Sequence, residues 1–201
     1  EQMRMGKRKK MVTLEDLVEE VGVDATRFWM IMRSSDTAVD FDVDLAKSKT
    51  DKNPVFYVQY AHARACSILR KATQKRLDID NKTELEPIFT QQEIDEFYNN
   101  VDILPLFDNL SPEQLDACRS LILKLEEGKV LLYNAVIYRS PYMICKYLQE
   151  LANSFHHFYN YTRVLSDDKK DSLRKLSLVN SFRIIMAKML DLIGVSALEK
   201  M

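Results

Sequence analysis

The chain has 201 residues, with 29 Lys and Arg against 30 Asp and Glu and a formal net charge of −1. That length buries a real hydrophobic core in one or two domains. The balanced charge excludes a polycation, so nucleic acid would have to meet local basic patches.

The opening stretch "EQMRMGKRKKMVTL" carries Arg4 and the run Lys7 to Lys10. Such a run suits a solvated end or a nucleic-acid patch as well as part of a site. Thr13 then reads as a helix cap, with Glu15 and Asp16 placed to favour the first turn. Leu14, Leu17, Val18 and Val21 follow helical spacing, and Gly22 is a stop signal. A second short helix over about 24–32 turns Ala25, Phe28, Trp29 and Met32 inward. The acid-rich "SSDTAVDFDVDLAKSKTDKN" follows as an ordered connector. It lacks the glycine and distal glutamate of a calcium loop, so its carboxylates read as caps and surface charges.

Asn53-Pro54 starts a long helix, Asn as cap and Pro at the first position. Val58, Ala61, Ala65, Ile68, Leu69 and Ala72 form its apolar stripe. Residues 77–110 read as mixed loop and short helix. Ser111 to Gln114 form a capping box, and helical patterns then cover about 112–126, 128–138, 141–165 and 169–193. Four glycines and five prolines in the whole chain fit this picture of long helices with few turns.

Cys66, Cys118 and Cys145 are far apart and form no metal-ligand spacing, which fits a reducing cytosol without disulfides. The Asn-x-Ser/Thr matches at Asn81, Asn109 and Asn160 are then coincidental. No apolar run approaches a membrane span, and no metal site is expected. A catalytic triad order, a Walker loop and a dinucleotide fingerprint are all missing from these 201 residues.

Two segments are rich in rings. At about 100° per residue, Tyr60, Arg64, Ser67 and Lys71 share the side of the Pro54 helix away from its apolar stripe, with Tyr57 at the edge. Rings and cations together suit unpaired RNA, since cations meet phosphates and rings offer platforms for bases. The same pattern also fits an ordinary wet face. His62 borders the stripe and reads as a structural histidine. In "SPYMICKYLQELANSFHHFYNYTRVL", Ile144, Leu148, Leu151, Phe155 and Phe158 form an inward stripe, with Tyr159 one turn along from Phe155. His156 and His157 point about 100° apart and cannot jointly hold a metal.

"VTLEDLVEEVGVDATRFWMIMRSSDTAVDFDVDLAK", "NPVFYVQYAHARACSILRKA", "ELANSFHHFYNYTRVL" and the ending "IGVSALEKM" together resemble arginyl-tRNA synthetase, a class I enzyme. The resemblance implies an all-α helical bundle of the anticodon-binding DALR type over 53–201. It further implies that 1–52 is the short end of an α/β catalytic domain, and that the chain is a C-terminal piece whose own catalysis is absent. "MGKR" sits where class I synthetases carry a mobile Lys-Met-Ser-Lys-Ser loop. Met5, Gly6, Lys7 and Arg8 would then form the ATP-binding loop, with Lys7 stabilising charge on the ATP phosphates. Gly6 replaces the serine of that loop, and Arg4 stands for its first lysine. The full enzyme would use ATP with Mg2+, arginine and the arginine tRNA, in the cytoplasm, as a monomer. No cofactor is expected for the piece alone. Tyr57, Arg70, Phe155, Tyr159 and Met201 fall on anticodon-contacting positions of the family, beside Tyr60 and Arg64 from the wet face. On an ideal helix Arg70 lies about 140° from Tyr57, so an RNA loop reaching both must fold around the helix. The rival expectation is a helical interaction module for proteins, or the matching piece of another class I synthetase.

Overall fold

The computed structural model describes residues 13–73, 75–79, 82–86, 89–90, 92–93 and 110–201, and for 75–79 and 82–86 the backbone alone. Lys7 and its neighbours Met5, Gly6 and Arg8 lie outside the described residues.

Helix α1, Leu14–Val21, begins as its caps dictate. The Thr13 hydroxyl accepts from the Asp16 amide at 3.1 Å, and the Asp16 carboxylate accepts from the Thr13 amide at 2.7 Å. Gly22, at φ 86°, ends α1 and leads straight into α2, Val23–Ile31. Ala25, Phe28 and Trp29 of α2 are buried as the spacing requires, while Met32 is only half covered. The stripe of α1 departs from expectation: Leu14 is 61% exposed, and Leu17, Val18 and Val21 are only half-buried. The cause is its neighbours. Helix α1 packs against α2 and the one-turn α3, Val43–Lys47, rather than against the deep core. Asp42 caps α3 through the Leu45 amide at 2.9 Å, so this carboxylate is a cap, as read from the sequence.

Helix α4, Pro54–Thr73, is the central element. Buried Asn53 fixes its start: its amide donates to the Ala46 and Ser48 carbonyls at 2.9 and 2.8 Å, and its side-chain oxygen accepts from the Val55 amide. Strands β1, Lys75–Ile79, and β2, Lys82–Glu86, then form an antiparallel hairpin with Ile79 opposite Lys82. Over 77–79 and 82–86 this replaces the expected loop and short helix with strand; most of 87–109 lies outside the described residues.

Three long helices complete the bundle: α5, Pro112–Ile137; α6, Tyr142–Tyr161; and α7, Lys169–Leu192. Helix α6 lies against α4, α5 and α7, and α7 also packs on α4 and α5. The capping box of Ser111 and Gln114 forms as expected. The expected break at Gly128 does not, because that glycine serves packing inside one continuous helix. A Cβ there would stand 2.7 Å from the Tyr147 hydroxyl, which donates to the Lys124 carbonyl at 3.0 Å. Tyr147, Leu148, Leu151, Phe158 and Met186 fill the core with no exposed surface.

Phe155 belongs to this core. It is 0% exposed and stacks on Phe182 with centroids 4.0 Å apart. A ring closed off on both faces cannot stack on a base, so its expected anticodon contact is withdrawn. Apart from the hairpin, the described residues are helical or irregular, in agreement with the all-α expectation. None of the described helices is long and apolar enough to cross a membrane.

Candidate functional site

The core stripe of α4 fixes what its other sides present. Val58, Ala61, Ala65, Ile68 and Ala72 are buried, which turns Tyr60, Arg64, Ser67 and Lys71 towards α6 and solvent. Helix α6 answers with Asn153, His156, His157 and Asn160, a polar stripe at i, i+3, i+4 and i+7. Between these faces lie two clefts that share Asn160.

The first cleft, about 450 Å³, is walled by rings. The Tyr57 and His156 centroids lie 5.0 Å apart, Tyr60 stacks on His156 at 5.8 Å, and Phe56 stacks on Tyr60 at 6.2 Å. Tyr60 is 41% exposed, and Tyr57 and His156 are half-buried. Burial, then the neighbouring Asp51 carboxylate, raises the Tyr57 phenol above its ordinary range. Burial, then the Arg64 cation, lowers the His156 imidazole, so that ring is neutral near physiological pH. The cleft is therefore an aromatic box with one cation, Lys49, and one carboxylate, Asp51, among its described lining residues.

The second cleft, about 580 Å³, is cationic. Arg64, Lys71 and Arg163 line it, and among the described residues no carboxylate does. Arg64 donates to the Tyr159 hydroxyl at 2.5 Å, with its guanidinium carbon 4.6 Å from that ring's centroid. The far wall is the segment after α6. Gln114 donates to the Tyr161 carbonyl at 3.2 Å, and buried Lys175 donates to the Arg163 carbonyl while paired with Asp171 at 2.6 Å. These bonds hold the loop that carries Arg163.

Arg70 and Met201 lie elsewhere. Arg70 points to the side of α4 along which residues 194–201 run, and it donates to the Glu199 carbonyl at 3.1 Å. His62 is buried on that same side, its Nδ1 donating to the Leu198 carbonyl at 2.8 Å, in keeping with the structural reading. Met201 is 54% exposed.

The structure thus gathers Tyr57, Tyr60, Arg64 and Tyr159, and sets Arg70 and Met201 on a second edge around the helix. Sequence reading missed His156 and Arg163. The polar stripe of α6 would have signalled the first. Arg163 gains its place only through the fold of the loop beyond α6.

Chemically the face offers platforms and cations rather than a reaction centre. All three cysteines are buried, the Cys145 thiol being pushed up to about 12 by burial. Among the described residues no group of His, Cys, Asp and Glu is arranged to hold a metal ion.

Residues 58–201 match the model of the DALR anticodon binding domain. The whole chain is 43% identical over 202 residues to the arginine–tRNA ligase of Symbiobacterium thermophilum, of which it covers 32%. Among solved structures, a Campylobacter jejuni protein assigned as an arginyl-tRNA synthetase superposes with a TM-score of 0.70 at 28% identity, over 99% of this chain and 37% of that one. The Thermus thermophilus arginyl-tRNA synthetase superposes at 0.64 with 29% identity, over 90% of this chain and 27% of that one. The chain spans about a third of the length of the curated relatives it matches.

Proposed function

Because the chain belongs to the DALR anticodon binding domain family, we propose that it forms the RNA-gripping part of an arginine–tRNA ligase. One observation carries the reading: three partly exposed tyrosine rings and a neutral imidazole adjoin a cleft that, among the described residues, is lined by three cations and no carboxylate. In this reading Tyr57, Tyr60 and Tyr159 receive unstacked bases of the anticodon loop. Arg64, Lys71 and Arg163 meet the phosphates between them. Tyr159 aims Arg64, so the cation is oriented before RNA arrives. Arg70 and Met201 receive the part of the loop that folds around α4.

The remaining roles belong to the whole enzyme. Residues 1–52 would end its catalytic domain and 53–201 would form the anticodon-binding domain. ATP with Mg2+ and arginine would react to arginyl-adenylate before transfer to the tRNA. Lys7 would stabilise charge growing on the ATP phosphates, flanked by Met5, Gly6 and Arg8. The setting is cytosolic and the protein a monomer.

A second reading, docking of a protein partner, draws support from exposed Leu123, Val130, Tyr133 and Ile137 along α5. A competition assay separates the two. The chain is bound to labelled arginine tRNA and challenged with unlabelled arginine tRNA or unrelated tRNAs. Preferential displacement by arginine tRNA supports the RNA reading. Equal displacement by all competitors removes the arginine assignment, and absence of tRNA binding favours the protein partner.

A further inference from the structure

The segment after α7 is held by more than a helix end needs. Ile193 and Gly194 already close α7 through bonds to the Leu190 and Asp191 carbonyls, and Val195 adds a bond to Leu190. Gly194, at φ 66°, turns the chain away, and Arg27 packs where its Cβ would be. The next residue, Ser196, is exposed, yet two helices grip every polar group it has.

Asp24, in the first turn of α2, divides its two oxygens. Oδ1 accepts from the Ser196 amide at 3.1 Å and from its hydroxyl at 3.2 Å. Oδ2 accepts from the Gln59 side-chain amide at 2.8 Å. The same Gln59 nitrogen donates to the Ser196 carbonyl at 2.9 Å. Farther along α4, His62 takes the Leu198 carbonyl and Arg70 the Glu199 carbonyl. Three tail carbonyls are thus turned onto α4. Met201 and, in part, Leu198 remain exposed. An irregular, exposed chain segment with no such anchors would fray.

We propose that Asp24 and Gln59 are positioning residues: their joint grip on Ser196 sets the register of residues 196–201 so that the tail meets RNA pre-ordered. The proposal rests on the anticodon-loop reading above and extends it. It makes α2, a helix outside the matched domain, a support of the RNA surface. The ordering entropy of the tail is then taken at folding rather than at binding. Neither residue touches RNA; each acts through the tail.

The test is a thermodynamic cycle on anticodon stem-loop RNA of arginine tRNA. Gln59→Met keeps the buried volume and removes the amide, and Asp24→Asn is the second variant. Each is made in the full chain and in a chain lacking residues 197–201, with melting curves to confirm folding. In the full chain each variant is expected to lose roughly three- to tenfold in affinity, the scale of one or two hydrogen bonds. The slope of log affinity against log salt stays as in the wild type, because no phosphate contact is lost. In the shortened chain the same substitutions change affinity by less than about twofold, since the element they position is gone. Equal losses at both lengths, or unaltered affinity in the full-length variants, overturn the proposal. Absence of RNA binding by the wild-type chain instead overturns the reading beneath it.

Discussion

Replacing Tyr159 by alanine separates the platform role of its ring from its part in the fold. The ring is half-buried beside the cationic cleft, and its hydroxyl accepts from Arg64. Loss of a base platform is worth about 1–3 kcal/mol, or roughly fivefold to 150-fold in affinity. Arg64 also loses a ring 4.6 Å from its guanidinium, a contact worth about 0.5–1 kcal/mol at an exposed site. Tyr159→Phe keeps the ring and removes only the hydrogen bond, a net change of about 0.5–1.5 kcal/mol. The expected order of affinity is therefore wild type, then phenylalanine, then alanine. Anisotropy of a labelled anticodon stem-loop measures it, and urea unfolding measures stability alongside. Since the ring is not fully enclosed, Tyr159→Ala should fall short of the 3–5 kcal/mol cost, in rough terms, of deleting a buried aromatic. Folded Tyr159→Ala protein that binds as tightly as the wild type would refute the platform role. Phenylalanine as weak as alanine would assign the contribution to the hydroxyl instead.

Phe155→Ala should do the reverse: unfolding free energy falls by about 3–5 kcal/mol, while the folded fraction binds RNA within about twofold of wild type, as titration under stabilising conditions would read. Gly128→Ala adds a Cβ 2.7 Å from the Tyr147 hydroxyl. Overpacking and a strained hydrogen bond outweigh the roughly 1 kcal/mol gain in helix propensity, for a net loss of about 1–3 kcal/mol. A Tyr147→Phe background should relieve most of it, and stabilisation by Gly128→Ala alone would contradict the close approach. His62 and His156 both titrate below the ordinary 6.5, chiefly through burial. The unfolded chain then takes up these protons first as pH drops. Stability should be fully present above about 6.5 and fall as pH is lowered towards the folded values, with a smaller slope in a His62→Gln, His156→Gln variant.

Local chemistry was legible where neighbours in sequence decide the outcome. The cap at Thr13, the box at Ser111 and the start at Asn53-Pro54 depend on contacts a few residues apart, and all formed as read. Gly128 was misread because glycine weakens an isolated helix, and only Tyr147, on another helix, shows why none other fits. The stripe of α1 was visible, but which neighbour would cover it was not. Phe155 and Tyr159 sit one turn apart on the same helix, yet Phe182 covers one and leaves the other at the cleft. The grip on Ser196 joins residues 24, 59 and 196, a pairing that no periodicity in a single sequence encodes.

The central claim is that this face holds unpaired RNA. Two hairpins of equal length and charge test it directly by titration at two salt concentrations: the anticodon stem-loop of arginine tRNA, and one whose loop bases are changed to pair and extend the stem to a minimal loop. The account predicts tighter binding of the open loop, with the preference retained at higher salt because stacking is less screened than phosphate contacts. Equal affinity for both hairpins, vanishing together as salt rises, would show charge attraction alone and contradict it.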